Sequence, residues 1–149
     1  MREEFEDAKS ELKRVDHLIY VSLKYTRTVD VFKSIIERLI NSYGFLIEGI
    51  LAALKDKKKV SNYPPSPLAK AELMKKLFKE DPNIISAVER FLLLRKIDKA
   101  DFTRAREFRK HVTMTVTIDG QVMNLKMDTL YQYYADIKAF VAYAEEQFS

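Results

Sequence analysis

The sequence predicts an all-α protein, an antiparallel bundle of five to six helices carrying one β-hairpin near 112–127. Three observations lead there. Residues 29–57 keep apolar side chains at helical spacing for roughly eight turns. The four prolines fall at 64, 65, 67 and 82, where helices would begin or end. One segment alone switches from helical to alternating periodicity, and Asp119-Gly120 divides it in two.

The first helix is predicted from residue 2 to about 25. Phe5, Ala8, Leu12, Val15 and Ile19 form its stripe, widened by Leu18 and Leu23. Thr28 is placed to cap the next helix, 29–57. There Val29, Phe32, Ile36, Leu39, Tyr43, Leu46, Ile50 and Leu54 define the buried face. Gly44 and Gly49 interrupt this helix, each costing about 1 kcal/mol relative to alanine, which suggests close helix packing. Lys55 to Pro67 reads as a loop. Ser66-Pro67 then starts a helix over 67–80, and Asp81-Pro82 starts another over 82–97. Asp101 is expected to cap a short helix bearing Phe102, Ala105 and Phe108. Residues 112–118 and 121–127 alternate as the two arms of the hairpin. A lone hairpin is marginal in water and must lean on the helices or a partner. Asp128 is expected to cap a last helix, 129–148, with Leu130, Tyr134, Ile137, Val141, Ala144 and Phe148 inward. Tyr131 is a candidate interface residue.

The 149 residues are read as one domain. There is no cysteine, which excludes disulfides and thiolate metal sites. His17 and His111 have no zinc spacing, there is no glycine-rich phosphate loop, and no cofactor is expected. The charged first helix lacks an apolar leader core, and no apolar run approaches membrane-spanning length, so a cytoplasmic location without a membrane partner is expected. Net charge is only +4, but residues 95–110 hold seven Lys or Arg against three Asp or Glu. Such a cluster can attract phosphates despite a small net charge.

Arg104, Arg106, Arg109 and His111 are the residues there suited to chemistry. Arginine binds phosphate bidentately and stays charged. Histidine can pass a proton near neutral pH. Together they suit metal-independent RNA cleavage, with histidine as acid or base and arginine stabilising charge on phosphoryl oxygens. On a continuous helix Arg104 would lie within about 20° of His111, and Arg106 about 140° away. Lys24, Tyr25 and Arg27 cluster at the first helix junction, where an apolar stripe would otherwise continue, and could line a substrate cleft. The plainer alternative is that His111 caps a helix C-terminus while the arginines pair with nearby acids on a wet surface.

Arg106, the four residues Glu107 to Lys110, and His111 fit the Arg-x4–6-His motif, as does Arg104 with six intervening residues. The chain thereby resembles HEPN domains, helical bundles in which this motif follows long amphipathic helices and precedes a last one. The resemblance implies a metal-independent endoribonuclease, or a non-catalytic relative that binds RNA or a nucleotide. It implies His111 as acid/base, Arg106 as the phosphate-binding arginine and Arg104 as its alternative. It also implies a homodimer with two motifs in a shared cleft, and candidate partners of the nucleotidyltransferase or antitoxin kind. Glu107 stands where catalytic members often have Asn, Asp or His. The competing expectation is a non-catalytic protein-interaction or dimerisation module built on the hairpin and exposed aromatic faces.

Overall fold

The computed structural model describes residues 2–149. Its helical class agrees with the periodicity. Helix α1 begins with Arg2–His17, passes through a π-helical stretch, Leu18–Ser22, and ends with Leu23–Tyr25. Helices α2 (Val29–Asp56), α3 (Pro67–Leu77) and α4 (Pro82–Lys99) follow. Strands β1 (Phe102–Ala105), β2 (Thr113–Ile118) and β3 (Gln121–Leu125) precede the last helix, α5 (Met127–Phe148).

The caps explain the starts of the helices. The Thr28 hydroxyl accepts from Val31 N at 3.4 Å, and the Ser66 hydroxyl accepts from Ala69 N at 3.4 Å. The Asp81 carboxylate accepts from Asn83 N and Ile84 N, with Pro82 in the first turn where a missing N–H costs nothing. Helix α5 differs from expectation. Its cap residue is Lys126, whose N–H donates to the Thr129 hydroxyl at 3.1 Å, and Asp128 lies inside the first turn.

Helix α2 is the hub. Helices α1, α3, α4 and α5 all pack on it. Small residues let α1 approach closely: Ala8 and Gly49 are buried, and the Ser42 hydroxyl donates to the Ala8 carbonyl at 3.0 Å. A Cβ on Gly49 would stand 2.8 Å from the Phe5 ring, so the close packing expected of this glycine is present. Around Gly44 nothing lies within 4 Å. One apolar cluster runs from Phe5 through Ala144 and draws on every helix and on β2 and β3.

The segment after Asp101 corrects the sequence reading. No helix forms there. Residues 102–105 are an edge strand, pairing antiparallel with β2 at Phe102↔Val116 and Arg104↔Met114. The hairpin is therefore two-thirds of a three-stranded sheet ordered β1-β2-β3. Its arms join through Asp119 (φ 52°) and Gly120 (φ 80°), the left-handed pair a two-residue hairpin turn requires. Met114, Val116, Ile118 and Leu125 are buried, and the sheet packs on α2, α4 and α5. Arg106 (φ 55°) and Phe108 (φ 66°) sit in the left-handed region, where a helix cannot continue. The helical angles between Arg104, Arg106 and His111 therefore do not apply. His111 caps no helix either, since none ends there.

Candidate functional site

The loop from Arg106 to His111 is moored to the junction between α1 and α2. The Phe108 N–H donates to the Arg27 carbonyl at 2.6 Å, and Val29 N donates to Glu107 Oε2 at 2.9 Å. Arg104 reaches the same place from β1, with its guanidinium 3.5 Å from Asp30 and 3.6 Å from Glu107. These contacts join two segments about eighty positions apart and carry Arg27 beside His111.

Between them opens a cavity of about 270 Å³, lined by Arg27, Lys110, His111, Lys126, Met127, Asp128 and Tyr131. Arg27 comes from the helix junction, Lys110 and His111 from the moored loop, and the rest from the start of α5. One arginine, two lysines and an imidazole thus face one carboxylate, Asp128. Neither Arg27, Lys110, His111 nor Lys126 makes an ion pair among the described residues. The Arg27 Nε is buried without a hydrogen-bond partner. A buried donor left unbonded costs about 1–3 kcal/mol, so this atom is placed at an energetic disadvantage. Cations that outnumber the one carboxylate and form no ion pair with it make a net positive cavity that an anion would neutralise.

The other sequence candidates do not line this cavity. Arg104 is engaged with Asp30 and Glu107. Arg106 and Arg109 are exposed on the loop, without ion pairs among the described residues. Tyr25 is 77% exposed, with the Lys24 ammonium 5.8 Å from its ring centroid. His17 is exposed on α1. Lys110 and Lys126 were not singled out from sequence. A signal existed for each: Lys110 adjoins His111, and Lys126 immediately precedes a helix, where a backbone turn gathers N–H groups.

Tyr131 continues the cavity wall onto the surface. It stacks on Tyr20, with centroids 6.2 Å apart and planes at 6°. Tyr20 belongs to the π-helical stretch, which sets the register of the residues leading to Arg27. Tyr134, one turn along α5, meets Tyr20 edge-on and donates its hydroxyl to Asp16 at 2.9 Å. Burial and then that bond push the Tyr134 phenol well above its ordinary range.

No group of three or more His, Cys, Asp or Glu gathers into a metal-binding cluster among the described residues. No helix there is long and apolar enough to cross a membrane. Comparison with protein-family models, curated proteins and solved structures finds no match to this chain.

Proposed function

We propose that the cavity between Arg27 and Lys126 binds a phosphate of RNA or of a nucleotide, and that the chain is a HEPN-like domain. The observation that carries the phosphate reading is the set Arg27, Lys110, His111 and Lys126, without ion pairs among the described residues, around a cavity of about 270 Å³, with Arg27 Nε buried and unbonded; the HEPN-like reading rests on the Arg-x4–6-His motif alone. A phosphate offers several acceptor oxygens and negative charge in that volume, and arginine's fork matches it.

On this reading His111 is the acid/base and Arg27 the phosphate-binding arginine, because these two line one cavity. Arg106 and Arg109 then contact flanking phosphates from the loop. Cleavage without a metal would proceed as neutral His111 takes the proton of a 2′-hydroxyl. The 2′ oxygen bonds to phosphorus, the bond to the 5′ oxygen breaks, and that oxygen takes a proton from solvent. Arg27 and Lys110 stabilise charge on the non-bridging oxygens. The resemblance extends the reading to a cytoplasmic homodimer, with a nucleotidyltransferase or antitoxin as a partner that would act by covering the cavity.

The exposed large apolar side chains favour a second reading, a non-catalytic interaction module. Tyr20, Tyr25, Phe108 and Val122 are all more than half exposed. One experiment separates the two. RNA incubated with the protein in EDTA should be cleaved, and Arg27→Ala and His111→Ala should each abolish cleavage with helicity intact. Arg106→Ala, run in parallel, should retain part of the activity. Cleavage unchanged in His111→Ala would remove that residue from the chemistry. Absence of both cleavage and RNA binding by the native chain would leave the interaction module.

A further inference from the structure

Phe108 is the most unusual residue on the surface. A bulky aromatic in the left-handed region is strained, and burying its ring would ordinarily offset part of that cost. Instead the ring is 75% exposed, at φ 66°. Nor is the loop loose. The preceding Glu107 is bound to Val29 N, and the Phe108 N–H to the Arg27 carbonyl. Strain of this kind persists where surrounding contacts impose it, and it clusters at ligand sites.

Tyr25, 77% exposed, lies two residues before that same Arg27. One exposed ring thus stands two positions before the cavity-lining Arg27 in the chain, and the other belongs to the residue whose N–H is bonded to the Arg27 carbonyl. Around them stand Lys24, Arg106 and Arg109, exposed and without ion pairs among the described residues. An apolar protein partner would not favour this rim, because unpaired arginines are costly to desolvate. A polyanion with flat, apolar faces satisfies both features.

We propose that Phe108 and Tyr25 are base-stacking residues and that the ligand is a nucleic-acid strand with unpaired bases next to the bound phosphate. The proposal rests on the phosphate reading of the cavity and names its ligand class. A duplex keeps its bases stacked on one another and offers these rings nothing. A single strand can turn a base onto each ring while its backbone tracks Arg106 and Arg109. Because the loop is moored in advance, little ordering is lost on binding.

The test uses the full chain and three probes: a short unstructured 2′-O-methyl oligoribonucleotide, which cannot be cleaved through its 2′ oxygen, its duplex, and inorganic tripolyphosphate. Phe108→Ala and Tyr25→Ala should each weaken single-strand binding roughly tenfold and leave tripolyphosphate binding unchanged, whereas Phe108→Trp should bind the strand normally. Arg27→Ala should weaken both the strand and tripolyphosphate. If the two alanine variants bind the strand as the native chain does while Arg27→Ala loses both probes, the phosphate site stands and stacking is overturned. If Arg27→Ala changes neither, the phosphate reading falls and the stacking proposal with it. Native binding of duplex as tight as single strand would also overturn stacking. So would Phe108→Ala altering oligomeric mass with strand affinity unchanged, since Phe108 would then be an interface residue.

Discussion

Glu107 Oε2 accepts the backbone N–H of Val29 at 2.9 Å, a bond spanning 78 positions. It satisfies the first free N–H of α2, whose local cap, Thr28, serves Val31 instead. The same carboxylate lies 3.6 Å from Arg104. Glu107 therefore holds the loop against the helix it caps. Glu107→Ala should cost about 1–2 kcal/mol in urea unfolding. It should also weaken ligand binding by freeing the loop. Glu107→Gln keeps an acceptor and should lose only about 0.3–1 kcal/mol, the charge–dipole part. Equal losses in the two variants would show that the charge, not the cap, is what matters.

The two glycines of α2 should respond in opposite directions. A methyl group at Gly49 would stand 2.8 Å from the buried Phe5 ring, so Gly49→Ala should destabilise by about 1–3 kcal/mol. Gly44 has nothing within 4 Å of such a methyl, and Gly44→Ala should stabilise by up to about 1 kcal/mol. Phe5→Leu combined with Gly49→Ala should recover part of the loss. Strict additivity of the two changes would contradict the contact.

The helices were legible because their signals are local. Proline after a capping side chain, as at Ser66-Pro67 and Asp81-Pro82, marks a start without reference to the rest of the chain. Residues 101–111 mislead for the opposite reason. Phe102, Ala105 and Phe108 recur every three residues, as a helix would have them, while the pairing that makes 102–105 a strand comes from β2. The left-handed backbone at Arg106 and Phe108 carries no glycine to announce it. At the site, Lys24, Tyr25 and Arg27 stood out because polar groups interrupted an apolar stripe. The nearness of Arg27 to His111 depends on the Glu107–Val29 and Phe108–Arg27 bonds, which no periodicity encodes.

Stability should fall in alkali through two buried tyrosines, Tyr43 and Tyr134, and the half-buried Tyr133. Burial raises the phenol pKa of Tyr43, Tyr133 and Tyr134 above the ordinary 10.0, with the bond to Asp16 adding at Tyr134 and Arg90 opposing at Tyr43. The folded chain keeps these protons where the unfolded chain releases them. Their contribution is thus complete below pH 10 and is lost as pH rises from there toward the folded values. Each such group adds a slope of about 1.4 kcal/mol per pH unit. Urea unfolding at successive pH values above about 9, with tyrosinate absorbance as a second reading, should show the decline. Tyr134→Phe should remove about one group's share of the slope. An unchanged slope in that variant would mean that Tyr134 ionises normally in the fold.

Arg27 and Arg104 are neighbours of the same moored loop with different surroundings, and salt should tell them apart. Arg104 is engaged with Asp30 and Glu107, so its charge is already answered within the protein. Arg27 has no ion pair among the described residues and a buried, unbonded Nε. A cation that contacts phosphate releases a counter-ion on binding, lowering the slope of log affinity against log salt by about 0.7 per contact on a single strand. Arg27→Ala and Lys126→Ala should each flatten that slope by about this amount. Arg104→Ala should leave the slope alone and lower stability, because it loosens the loop without removing a phosphate contact. Binding isotherms at several salt concentrations, paired with urea unfolding of the same variants, make the comparison. A flattened slope in Arg104→Ala with none in Arg27→Ala would move the phosphate from the cavity to the outer face of β1.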